Sequence, residues 1–124
     1  PRMRRIAIVS DNPFLSRAVS LSLAGLGAEV CCVASRGEWL RICERGAVDL
    51  LIVLRAAGLL AREREVERLR RAVGNPRLYI LTWHHSERIV LALLEQGADQ
   101  CMTFPVNLAR LRRKVAEELT GVYE

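Results

Sequence analysis

Lysine is almost missing from this chain: of its 19 basic side chains, only Lys114 is a lysine. Aspartate is scarce too, with only Asp11, Asp49 and Asp99 among 14 acids. Each shortage excludes something. No run of about 18 uncharged apolar residues occurs, so no transmembrane helix is expected. Arg2, Arg4 and Arg5 precede only a short apolar run that Asp11 interrupts, which excludes a signal peptide and makes a cytoplasmic protein the expectation. No GxGxxG or Walker sequence follows a predicted strand, so no nucleotide-phosphate loop is expected. The "SDNPF" stretch lacks the hydroxyl- and glycine-rich character of a flavin phosphate cradle, which ranks a flavodoxin-like enzyme last. The four cysteines include no CxxC pair for zinc. Cys31 and Cys32 are neighbours in a predicted strand and point to opposite faces, while Cys43 and Cys101 stand far off. All four read as buried free thiols. No cofactor is expected.

The net charge is +5. It is not gathered into a patch: in "REREVERLRR" acids interleave with the arginines, and aromatics make up only 5% of the chain. Direct nucleic-acid binding by this segment is not expected, because such surfaces combine a basic groove with stacking aromatics. The length of 124 residues fits one domain over 1–124. Pro1 and Arg2 read as a cloning remnant ahead of a native start at Met3.

Two periodicities alternate along the chain. Short apolar, β-rich runs occur at "RIAIV", "AEVCCVA", "DLLIVL", "RLYILT" and "QCMTF". Helical patterns lie between and after them: Phe14 to Ala24 with Leu15, Val19, Leu21 and Leu23 as anchors, Arg36 to Arg45, about Leu60 to Val73, Glu87 to Gln96, and Leu108 to Leu119. Ser35, Ser86 and Asn107 are the expected N-caps, and Gly46 and Gly97 the stops. After Asp49 the third run is continuously apolar, as expected for a strand covered on both faces. Five βα units predict a parallel sheet with helices on both faces and right-handed crossovers.

In open α/β sheets, ligands bind beyond the carboxyl ends of the strands. Those ends offer Ser10, Asp11 and Asn12; Leu54 and Arg55; Thr82 and Trp83, then His84 and His85; and Thr103, Phe104 and Pro105. Asp49 and Asp99 fall at the opposite edge. Asp11 is therefore the lone carboxylate here, a weak candidate for a metal and better suited to structuring its turn. Adjacent histidines chelate one metal poorly, and His84 and His85 have no oriented partner for base catalysis, with Ser86 serving as a cap.

The order of these pieces resembles the receiver domain of bacterial two-component response regulators. The resemblance rests on "IAIVSDNP", "GAEV", "DLLIVL", "LYILTWHHSE", "LLEQGADQCMTFPV" and "NLARLRRKV". It implies the flavodoxin-like (βα)5 fold with strand order 2-1-3-4-5. It also implies a phosphorylation site, which this chain has lost. Of two acids after the first strand, only Asp11 remains, with Ser10 in place of the other. Leu54 stands where the phospho-accepting aspartate belongs. Thr82 keeps the hydroxyl, with Trp83 in place of a small residue. Phe104 replaces the lysine, and Cys101 the aromatic switch. Phosphoryl transfer needs a nucleophile, a metal and a cation. Leu54 and Phe104 supply none of them, and Ser10 or Asp11 as a substitute acceptor would lack both metal and lysine.

The expectation is an atypical, phosphorylation-independent receiver-like regulatory domain, not an enzyme. It is expected to be the N-terminal part of a longer transcription regulator, meeting DNA only through an effector domain. Control would run through a homodimer built on the helix over 87–96, the fifth strand and the last helix. Ile89, Leu91, Leu94, Asp99, Arg110 and Arg113 are the face residues. Ile89, Val90 and Leu93 form the core stripe of the first of these helices, with Leu94 beside it and Leu91 off it. Leu108, Leu111 and Val115 are the core positions of the last. The alternatives are a stand-alone protein-interaction adaptor and a small-molecule sensor using the apolar edge around Leu54, Trp83 and Phe104.

Overall fold

A computed structural model describes residues 3–55, 70–83 and 86–121, the side chains of Arg36 and Arg55 aside. Five parallel strands form one sheet: β1 (Arg4–Val9), β2 (Ala28–Val33), β3 (Leu50–Arg55), β4 (Arg77–Thr82) and β5 (Gln100–Thr103), in the order β2-β1-β3-β4-β5. The helices are α1 (Pro13–Ser22), α2 (Arg36–Glu44), α3 (Glu87–Glu95) and α4 (Leu108–Thr120). Residues 70–72 are also helical. The rest of the helix expected from Leu60 lies outside the described residues, as do His84 and His85.

Strand alternation divides the core into two layers. Ala7, Leu51, Val53, Leu78 and Ile80 pack with Trp39 and Ile42 of α2 and Leu93 of α3. Ile6, Ile8, Leu50, Ile52, Leu54, Tyr79, Leu81 and Met102 pack with Val19 of α1 and with Leu111 and Val115 of α4. The central strand β3 is covered on both faces, and Leu50 to Leu54 are all buried. That is why its sequence shows no polar alternation.

Local chemistry sets the helix starts. Asn12 caps α1, its Oδ1 accepting from Phe14 N and Leu15 N at 3.0 and 3.1 Å, and Pro13 follows where its missing N–H costs nothing. Ser35 caps α2 by accepting from Glu38 N, and its hydroxyl donates to the Glu38 carboxylate, both at 3.2 Å. Asn107 caps α4 through Arg110 N. Ser86 holds the cap position of α3, but its side chain makes no capping bond. Gly46 and Gly97 end α2 and α3 with φ of +101° and +109°, which a side chain would strain.

Three expectations about burial need correction. Leu21 is 63% exposed: it sits two residues from Val19, on the solvent side of α1. Leu108 is 37% exposed, because α4 turns its core stripe inward only from Leu111. The thiols are free but not fully buried: Cys32 is exposed and the other three are half-buried. Cys31 packs against the α2–α3 layer, while the Cys32 Sγ lies 3.9 Å from Ser16 O of α1, so the two do face opposite ways. Desolvation is the leading cause that pushes all four thiols up. They are therefore neutral and poorly nucleophilic.

Two of the three aspartates perform one and the same structural task. Asp49 N donates to Arg5 O at 2.9 Å, and its carboxylate accepts from Arg5 N at 2.8 Å. Asp99 N donates to Leu78 O at 2.8 Å, and its carboxylate accepts from Leu78 N at 2.8 Å. Each aspartate stands just before a strand and grips both backbone groups of one residue on the adjacent strand. β3 is thereby registered on β1, and β5 on β4. Such charge-assisted bonds contribute about 1.5–3 kcal/mol each.

Candidate functional site

Five parallel strands bring Ser10, Leu54, Thr82 and Phe104 to one edge. Leu54 is 4% exposed and belongs to the layer packed under α1 and α4. Phe104 follows β5, is 6% exposed and belongs to the same layer. Its N–H donates to Thr82 O at 2.8 Å, extending the β4–β5 ladder past the last strand residue. Trp83 stacks on Phe104, ring centroids 4.3 Å apart and planes at 27°. Stacking of this kind adds about 0.5–1.5 kcal/mol beyond area burial. Trp83 itself remains 47% exposed, so it lies over the edge as a lid with one wet face.

The hydroxyls at this edge face elsewhere. Ser10 is buried, and its Oγ accepts from Asn12 N at 3.0 Å. Thr82 is fully buried, and its place in β4 alternates with Leu81, so it faces the α3 side, away from Leu54. Cys101 also faces the α3 side and packs half-buried against it, together with Ile89. Asp11 is exposed, and the turn around it is shaped by Ser10 and Asn12, a correction to the expected role of Asp11. Arg55 is the register partner of Thr82.

A divalent cation does not suit this donor set. Magnesium needs oxygen ligands converging on one point. Among the described residues at the ends of the strands, Asp11 is the single carboxylate, Ser10 accepts a backbone bond, and Leu54 supplies carbon. Among the described residues, no group of three His, Cys, Asp or Glu side chains comes close enough to hold a metal.

The expected face residues divide between surface and interior. Leu91 and Leu94 of α3 are 57% and 40% exposed, and Arg110 and Arg113 of α4 are exposed. Ile89 is half-buried against the core. Asp99 is engaged inside the chain, with its side chain 23% exposed. Besides gripping Leu78, its carboxylate binds Arg70 Nη2 and Arg77 Nη1, each at 3.0 Å. Arg77 Nε reaches Glu118 at 3.2 Å, and Glu118 bonds the Tyr79 hydroxyl at 3.0 Å. Burial, then the charge of Glu118, push the Tyr79 phenol far up, so it stays neutral. No motif marks this network in advance, because its members, from Arg70 to Glu118, lie up to 48 residues apart and carry no spacing rule.

No protein-family model matches the chain, and no curated protein matches it. Solved structures do. A response regulator receiver domain protein (CheY-like) from Methanospirillum hungatei is 24% identical, with 97% of this chain and 96% of that one covered and a TM-score of 0.76. A response regulator from Thermotoga maritima is 17% identical, with 96% and 99% covered and a TM-score of 0.77. The fold is that of receiver domains. A protein ascribed to pilus assembly in Burkholderia pseudomallei shares it at 18% identity, with 98% and 93% covered and a TM-score of 0.77. Among the described residues, no helix is long and apolar enough to cross a membrane.

Proposed function

We propose that this chain is a receiver-like regulatory domain that works without phosphorylation. The observation that carries the reading is the buried Leu54 at the end of β3, in one apolar layer with Phe104, on which Trp83 stacks. In a receiver, that strand end presents the reacting carboxylate, and a conformational equilibrium follows its phosphorylation. Here the edge is packed with carbon. Leu54 has no nucleophilic atom, no oxygen cluster among the described residues gathers a metal, and Phe104 brings no charge to hold phosphoryl oxygens. Cys101 has no ring to swing between buried and exposed positions. The domain is accordingly not an enzyme, even toward itself, and it holds one conformation.

Output then rests on a surface that is always presented. α3 exposes Leu91 and Leu94, and α4 exposes Leu108, Arg110 and Arg113. A homodimer through α3, β5 and α4 covers this apolar area and brings two copies of a DNA-binding effector together. With Asp99 engaged internally, the contact is mainly apolar. An adaptor that docks a different protein on the same face is the second reading, favoured by the pilus-assembly protein that shares the fold.

Light scattering over a concentration series, with and without a small-molecule phosphodonor and magnesium, tests the proposal. The same dimer in both conditions is the expected result, with Leu91→Glu giving a monomer of unchanged circular dichroism. A monomer at all concentrations defeats the homodimer, and a dimer that forms only with the phosphodonor defeats phosphorylation independence.

A further inference from the structure

The amino edge of the sheet carries a buried cation that the regulatory reading does not use. Arg5 of β1 is only 8% exposed. Its Nη1 donates to Gly46 O and Ala47 O, both at 3.1 Å. Its Nε and Nη2 are buried and have no hydrogen-bond acceptor among the described residues. Those two N–H groups lie side by side on one flank of the guanidinium. They form the fork that matches the two oxygens of a carboxylate or phosphate. A guanidinium carries its charge permanently, so burial cannot be relieved by losing a proton.

Glu29 is the acid on that flank, opposite Arg5 in the β1–β2 ladder. Its Oε2 lies 3.8 Å from Arg5 Nε, beyond hydrogen-bond reach. Arg45 Nη2 holds its Oε1 at 2.6 Å. One carboxylate is thus shared between two guanidiniums, and the tighter contact goes to Arg45. Asp49 does not settle the balance, because its carboxylate grips the Arg5 backbone N and faces Arg4. β2 is an edge strand, and the side chains of Glu29 and Arg45 are 31% and 56% exposed. Among the described residues, the acid beside that flank of Arg5 is thus a long side chain at the sheet edge, paired with the exposed Arg45.

We propose that this is a binding site for a small oxyanion, a carboxylate or phosphate group that forks onto Nε and Nη2 of Arg5 when Glu29 moves aside. Glu29 is the resident competitor, and Arg45 is the group that draws it away. The site lies at the far edge from Leu54 and is independent of the regulatory proposal.

The Arg5 Nε–H resonance of 15N-labelled protein, titrated with acetate, inorganic phosphate and chloride at constant ionic strength, tests this. A saturable shift with acetate or phosphate, and none with chloride, is expected; the tighter of the two identifies the chemistry of the natural ligand. Glu29→Gln removes the competitor and tightens binding about tenfold. Arg45→Ala releases Glu29 onto Arg5 and weakens binding by a similar factor. The opposite signs of these two surface variants distinguish a site from general loss of structure. Equal, unsaturated responses to all three anions overturn the proposal, as does a Glu29→Gln protein that binds no more tightly than the parent.

Discussion

The two edges of the sheet are held by different forces. At the carboxyl edge, where receiver chemistry calls for acids and a lysine, Leu54, Phe104 and Trp83 form apolar contacts. At the amino edge stand Arg5, Glu29, Arg45 and Asp49 on one side, and Arg70, Arg77, Asp99 and Glu118 on the other. The first edge is held by burial, which is non-directional and tolerant of exchange between apolar residues. The second is held by directed, charge-assisted bonds, in which removal of one partner strands the other. Position along a strand therefore decides what kind of substitution each edge can bear.

Leu54→Asp breaks the comparison most severely. It restores the residue type of an active receiver, yet buries a carboxylate in the layer under α1 and α4. A loss of about 3–5 kcal/mol is expected in denaturant unfolding, enough to unfold a marginal domain. Burial raises the carboxyl pKa of the folded variant above its unfolded value. The deficit therefore grows as pH rises from about 4 to 7 and shrinks on acidification. Stability independent of pH would show that the new side chain escapes to water.

Next in size are the two strand clamps. Asp99→Ala takes the side-chain acceptor from Leu78 N and one partner each from Arg70 and Arg77, and is expected to cost about 2–4 kcal/mol. Asp49→Ala removes the equivalent backbone grip beside Arg4, whose side chain is 56% exposed, and should cost about 1–2 kcal/mol. Thermal melts of the pair check the ranking; equal losses would mean that the bonds to Arg70 and Arg77 add little. The smallest effect belongs to Trp83→Ala. It removes a half-exposed ring from Phe104 and should cost about 1 kcal/mol, with increased access of solvent to the edge. A larger loss would make the lid a core element.

Much of this was legible in the residues. The alternation of short apolar runs with helical patterns yields all five strands within a residue or so of their bounds, and "GAD" marks the start of β5. Leu54, Thr82 and Phe104 could be placed at one edge because strand ends are set by local punctuation. What stayed hidden is long-range. Position alone sets Asp49 at the opposite edge and offers Asp99 to a dimer face; the work of both is on the neighbouring strand, which only pairing reveals. Leu21 and Leu108 looked like core because their types are apolar, while the rotation of α1 and α4 against the sheet decides their exposure. The Asn12 cap had a local signal, Asn followed by Pro13, that a reading centred on the adjacent Asp11 passes over.

The claim at the centre is that the carboxyl edge cannot accept a phosphoryl group. Intact-protein mass after incubation with acetyl phosphate or phosphoramidate and magnesium tests it directly. An unchanged mass is predicted, for the parent chain and for Trp83→Ala, which opens the edge without supplying a nucleophile. A phosphoryl adduct on the parent chain, mapped to Asp11 or Ser10, would contradict it.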